Sequence, residues 1–238
     1  MQRAGGDLRV FRFRSSELRL MRMYLENAGN ACLSTQDHPT ERLAEWLDDA
    51  FRQYGQGVAY IEGTKWQGLI LTYPDKHTTT DAVAWSKDVS RCGLMALNLL
   101  YHLQDPRCSL VYFPIRSESA TWQEYLLSIA IQKLVSMLLQ RFRALAGQIM
   151  LLHLSDEMNA ACQRHGWKFT FQEGIFFHEH FFASLKEAQQ AYLNLVKTLI
   201  SRMSLILGEA LCWQILHEMK KRLPDEERET IAFILPEN

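Results

Sequence analysis

The sequence predicts an α+β fold in two parts: a small antiparallel sheet with helices in the first half, and a helix-rich second half with a β-hairpin and a long C-terminal helix. Three observations predict it. Short apolar runs at 58–61, 69–73 and 82–85 are separated by Gly63-Thr64, Gly68 and the 74–80 loop, the spacing of an antiparallel meander. Residues 121–145 carry apolar side chains at helical spacing and stop at Gly147. From 184 to 222 an apolar stripe repeats every seven residues: Leu185, Tyr192, Leu199, Ile206 and Trp213. A second row on its flank includes Ala188, Leu195, Val196, Met203 and Leu216. This pattern reads as one unbroken helix of roughly forty residues, too long to bury both ends in one small core, so it lies across a domain or pairs with a partner helix. A boundary near 115–120 separates an α+β domain, 1–116, from a helix-rich domain with a small sheet, 117–238.

The elements follow in order. Residues 8–13 alternate apolar side chains with arginine and read as a strand. Ser16 caps a helix that runs to Asn27, and Gly29 ends it. Residues 30–38 read as a loop. Pro39 opens a helix with Leu43, Trp46, Leu47, Ala50 and Phe51 on one face. After the meander come a helix over 89–103, a breaker at Asp105-Pro106, and a strand over 110–115 in which Pro114 marks an edge or an end. Thr121 and Glu124 match a capping box for the 121–145 helix. Residues 149–154 read as a strand, and Ser155 caps a short helix that Gly166 ends. Strands at 167–171 and 175–181 flank Gln172-Glu173-Gly174, a hairpin turn. Ser184 with Glu187 is a second capping box and launches the last helix. Pro224 and a charged run end that helix, and 231–235 either docks or adds an edge strand.

Composition limits the function classes. The chain is 47% hydrophobic and 22% charged, which suits a globular protein with a sizeable core. A net charge of −1 gives no global attraction to nucleic acid or an anionic membrane. The exception is local: six arginines fall in the first 23 residues, among them Arg9, Arg12 and Arg14. These three are the candidate phosphate contacts if the protein is an accessory subunit of a nucleoprotein complex. The simpler reading makes them a solvated face. Five scattered cysteines without a CxxC argue against a disulfide framework or zinc ribbon and for a reducing cytoplasm. Cys92 and Cys212 fall in apolar patterns and read as small buried hydrophobes. The N-terminus lacks a signal-peptide apolar core, and no run of eighteen apolar residues exists, so no membrane span is expected.

Within 40–115, Gly57-Val58, Gly68-Leu69-Ile70 and Ala82-Val83-Ala84 precede Gly93-Leu94-Met95-Ala96-Leu97, a glycine-led helix followed by a last strand. In this pattern the segment resembles the PATAN-type signalling domain. The resemblance implies a helix before a small antiparallel sheet and a non-catalytic signalling or interaction module. It brings no catalytic residues with it.

The sharpest chemical candidate is His178-Glu179-His180. Residues two apart on a strand project to one face, and a His-x-His pair is the start of a metal site. His153, on the strand expected next to it, is the candidate third ligand. The alternative places both histidines as hydrogen-bonded residues at the edge of a core rich in phenylalanine, and it is the simpler one. No GxSxG elbow, GxxxxGK[ST] loop or GxGxxG occurs. Asp48-Asp49 and Asp225-Glu226-Glu227 fall on expected polar surfaces. Trp66, beside a lysine in a turn, is a candidate interaction anchor.

These readings favour a non-catalytic cytoplasmic interaction, signalling or scaffold module. It would self-associate or bind a protein partner through the stripe Leu185, Tyr192, Leu199, Ile206 and Trp213, with Trp66 a further contact. The alternatives are a metal- or haem-binding sensor or metal-dependent enzyme centred on His178 and His180, and the nucleoprotein subunit. No particular cofactor is legible.

Overall fold

The computed structural model describes residues 15–73, 81–87, 89–102 and 106–234. The strand expected at 8–13, with Arg9, Arg12 and Arg14, and the 74–80 loop lie outside the described residues. The fold is α+β, and the chain divides into two units, Met1–Arg116 and Ser117–Asn238.

In the first unit the alternation of side chains builds a two-faced sheet. Its six strands are β1 (Leu33–Pro39), β2 (Gly57–Glu62), β3 (Gln67–Thr72), β4 (Ala82–Trp85), β5 (Ser90–Cys92) and β6 (Arg107–Pro114). All are antiparallel, in the order β1-β6-β2-β3-β4-β5. The register Val58↔Leu71 and Val58↔Phe113 gathers Val58, Leu69, Leu71, Val83 and Phe113 on one face. Helix α1 (Ser15–Asn27) lies against β2, β3, β4 and β6, with Leu20 and Met23 buried. Its Tyr24 stacks on Tyr60 at 5.7 Å and meets Phe113 edge-on at 5.2 Å.

The other face carries small residues, Ala59, Ala82 and Ala84, beside Ile61, Ile70, Leu110 and Tyr112. Two helices pack there: α2 (Leu43–Tyr54), through Leu43, Trp46, Leu47 and Ala50, and α3 (Leu94–Tyr101), through Ala96 and Leu100. α3 sits so close that a Cβ at Gly68 would lie 2.7 Å from the Leu100 side chain.

Two expectations for this unit change. The loop expected at 30–38 contains β1, an edge strand on β6. Its sequence is polar because an edge strand half-exposed to water needs few apolar residues. A bulge between Thr35 and His38, with Asp37 at φ +59°, interrupts its pairing. The helix expected over 89–103 starts later. Ser90–Cys92 pair with β4 as β5, so the half-buried Cys92 is a strand residue, and α3 follows Gly93. Pro39 ends β1 and precedes a 3-10 turn, Thr40–Arg42, before α2.

The second unit is built around α4 (Ala120–Ala146), which buries side chains around much of its circumference, as a central helix does. Its cap is Ser119, whose Oγ accepts from the Trp122 N–H at 3.2 Å. Thr121, expected as the cap, lies inside the first turn and is buried. α5 (Gln148–Arg164), α6 (Leu185–Leu207), α7 (Glu209–Lys221) and α8 (Asp225–Thr230) all pack on α4.

Two single glycines set this architecture. Gly147 (φ +87°, ψ 170°) joins α4 to α5, and Gly208 (φ +84°, ψ 149°) joins α6 to α7. Each N–H closes the preceding helix, Gly147 on the Arg143 carbonyl and Gly208 on that of Ser204. Each carbonyl accepts from the first turn of the next helix, from Leu151 N–H and Cys212 N–H. Backbone at these angles is open essentially to glycine alone.

The unbroken rod from 184 to 222 is therefore corrected. A 23-residue helix, α6, is followed by a separate 13-residue helix that packs on it. The physical reason is burial: by turning, α7 places Cys212, Ile215, Leu216 and Met219 in the same core as α4 and α6. The strand expected at 149–154 is likewise corrected. Gly147 restarts a helix rather than ending one, so 149–154 are early turns of α5, and Ser155 is a buried interior residue of that helix.

The expected hairpin is present as β7 (Phe169–Gln172) and β8 (Ile175–His178). Glu173 (φ +52°) and Gly174 (φ +82°) form its two-residue turn. β8 stops at His178, short of the expected 181. Asn159 of α5 ties β7 down, its amide donating to the Phe171 carbonyl and its carbonyl accepting from the Phe171 N–H. The box at α6 forms as expected, with Ser184 Oγ accepting from Glu187 N–H. Pro224 begins α8, whose acidic first turn suits the positive helix end. A 3-10 turn, Ala232–Ile234, then buries Ile231 and Ile234, and no strand forms there. Glu227 of α8 accepts from Lys133 Nζ of α4 at 2.5 Å and is 4% exposed.

Candidate functional site

The best-defined concavity lies in the first unit, on the small-residue face of the sheet. Alanines at 59, 82 and 84 keep the sheet surface low, and α2 and α3 stand on it with a cleft of about 350 Å³ between them. α2 lines it with Leu47, Asp48 and Phe51, α3 with Leu97 and Tyr101. The floor is the end of β3, from Ile70 to Tyr73. Among the described lining residues, Asp48 alone carries a formal charge, and Phe51, Tyr73 and Tyr101 are aromatic. Burial raises the Tyr101 phenol above its ordinary value, and the negative charge of Asp48 adds to the rise. At the cleft edge Thr72 bonds to the Tyr112 hydroxyl and donates to the Gly57 carbonyl at 3.1 Å. The Tyr112 hydroxyl donates to the Gly55 carbonyl at 2.6 Å. Burial pushes this phenol up to about 12, and the Thr72 bond opposes that rise. Both tyrosines are thus held neutral, as hydrogen-bonding and aromatic groups.

Asp48 was expected on a plain polar surface with Asp49. Asp49 does sit there, beside Arg52 at 3.5 Å. The distinguishing signal was positional: Asp48 precedes Phe51 by three residues and so borders the apolar stripe of α2, whereas Asp49 does not.

The two histidines of the second unit enter an aromatic cluster. His178 Nε2 lies 2.5 Å from the Tyr192 hydroxyl, and its ring packs among Phe169, Phe176, Phe182 and Tyr192. His180, beyond the end of β8, accepts from the Lys168 N–H at 3.4 Å and meets Phe182 edge-on at 4.6 Å. His153 lies on the exposed side of α5, a helix rather than the neighbouring strand expected for it. Among the described residues no group of three His, Cys, Asp or Glu side chains is placed to hold a metal ion. The His178–Tyr192 bond locks β8 to α6. Tyr192→Phe should therefore lower stability by about 1 kcal/mol, the net worth of a typical hydrogen bond. Urea unfolding checks this, and an unchanged midpoint would show that the bond contributes nothing.

The heptad stripe divides. Tyr192 and Leu199 are fully buried in the unit's own core, and Leu185 packs partly against it. Ile206 and Trp213 are exposed on separate helices. Around Gly208 they join Leu211 and Leu205, the latter 76% exposed. The Trp213 indole N–H donates to Glu209 across one turn at 3.3 Å, which holds its ring on the surface. The Gly147 corner repeats the pattern with Leu145, Leu152 and Ile149, the last 72% exposed. Trp66 is half-buried against the first core.

The cysteines are free thiols. Burial raises the Cys32 thiol and pushes that of Cys162 up to about 11, away from the reactive thiolate. No helix among the described residues is long and apolar enough to cross a membrane. No family model, curated protein or solved structure matches the chain.

Proposed function

We propose that this chain is a non-catalytic signalling or scaffold module of the cytoplasm whose second unit associates with a second copy of itself. The observation that carries this reading is the crown of apolar side chains at the Gly208 corner. Leu205, Ile206, Leu211 and Trp213 are all exposed within five residues of one glycine, in a unit whose core already buries a full complement of leucine, isoleucine and phenylalanine. Scattered exposed apolar residues are ordinary, but clustered ones centred on a fixed tryptophan have the composition of an association surface. The exposed apolar residues at Gly147 support the same reading.

The first unit fits a sensory or interaction role within that module. Its helix–sheet order, with a glycine-led α3 running into the last strand, supports the likeness of 40–115 to the PATAN-type domain. Free thiols without a disulfide support a reducing compartment.

The test is the double substitution Leu205→Glu with Trp213→Glu, two exposed positions where charge leaves the core untouched. Sedimentation velocity should show the association constant falling at least about tenfold, a loss of roughly 1.4 kcal/mol or more. Association of the folded double variant at wild-type strength would contradict the reading.

A further inference from the structure

We propose that the cleft between α2 and α3 binds a small organic cation, its ammonium group against Asp48 and its apolar body against Leu47, Phe51 and Leu97. Three features of the cleft point to this ligand class. Its volume, about 350 Å³, falls within the range of small-molecule sites, about 300–1,000 Å³. Its charge is one-sided: Asp48 contributes a carboxylate and no described lining residue is basic, so a phosphate or carboxylate ligand would meet repulsion without compensation. Its aromatic content is high, with Phe51, Tyr73 and Tyr101 joining the carboxylate. Aromatic faces attract cations through their quadrupole, and that attraction strengthens where water is partly excluded. A carboxylate together with aromatic rings in a concave, half-buried setting is the chemistry that recognises organic ammonium ions.

The geometry also separates recognition from reaction. The phenols of Tyr101 and Tyr112 are both held protonated by burial, so neither supplies a base. The cleft is a receptor surface, and it stands apart from the association surface proposed for the second unit.

Calorimetric titration of the full chain with benzyltrimethylammonium and with the size-matched anion phenylmethanesulfonate tests this directly. The cation should bind at least about tenfold more tightly than the anion, within the strength of carboxylate and cation–π contacts. Asp48→Asn should weaken the cation about tenfold, and Asp49→Asn, one residue away on the exposed side of α2, should leave it unchanged. Equal binding of the two probes, or no binding of the cation, overturns the proposal without reference to any variant. Wild-type cation affinity in a folded Asp48→Asn protein overturns the role of the carboxylate. Neither result bears on self-association, which the second-unit variants test separately.

Discussion

Lys133→Met should destabilise the protein by roughly 2–3 kcal/mol, the largest effect expected of a single substitution here. The Glu227 carboxylate is 4% exposed, and its Oε1 lies 2.5 Å from Lys133 Nζ. Its Oε2 is buried without a hydrogen-bond partner. Removing the ammonium leaves a carboxylate with no countercharge in a place water reaches poorly. A fully buried pair broken this way costs about 3–5 kcal/mol, and the 34% exposure of Lys133 lowers the figure through solvent screening. The cost arises from the orphaned charge rather than from the pair, so Lys133→Met combined with Glu227→Leu should recover most of the loss. Urea unfolding of the four members of this cycle gives the answer. A single variant within about 0.5 kcal/mol of wild type, the range of ordinary surface changes, would show that Glu227 is solvated in solution.

Gly208→Ala should cost about 1–3 kcal/mol, with no steric clash involved. A Cβ at this position meets nothing within 4 Å, so the penalty is one of backbone conformation alone. The residue sits at φ +84° and ψ 149°, where an L side chain is strained. Relief of that strain requires α6 to continue straight, which would withdraw Cys212, Ile215, Leu216 and Met219 from the core. The chain is caught between the two, and its thermal midpoint should fall. Gly147→Ala should behave alike, because the angles and the open surroundings are the same in kind. A midpoint equal to that of wild type would mean that the corner bends without needing positive φ.

These same corners explain what the sequence concealed. Apolar periodicity reports which side of a helix is buried, and the stripe from Leu185 to Trp213 keeps its phase across Gly208. Nothing in that phase distinguishes a straight helix from two helices folded onto one core. The decisive datum is one residue whose ψ lies outside the helix, and glycine is compatible with either outcome. At Gly147 the mistake had the opposite form. The glycine was read as a stop, and Ile149 to Leu154 then looked like a strand, although their burial follows helical spacing.

Where the sequence carried a complete local signal, the structure agrees. The meander of β2, β3 and β4 follows from short apolar runs between turn residues, and the β7–β8 hairpin from Glu173-Gly174. The Ser184 cap follows from its spacing to Glu187. Strand β1 was hidden because an edge strand needs no apolar alternation. The candidate cleft was hidden for a related reason. It depends on how far apart α2 and α3 stand on the sheet, a distance set by small side chains at 59, 82 and 84 acting together. The one local trace was Asp48 at the margin of an apolar stripe. The histidine pair was visible as a motif, but its surroundings were not. Tyr192, fourteen residues away in sequence, is what meets His178.

Self-association of the intact chain is the claim on which the functional reading stands, and sedimentation equilibrium over a wide concentration range measures it. The weight-average mass should climb with concentration from 27.7 kDa toward twice that value. A mass that stays at 27.7 kDa across the whole range would contradict it.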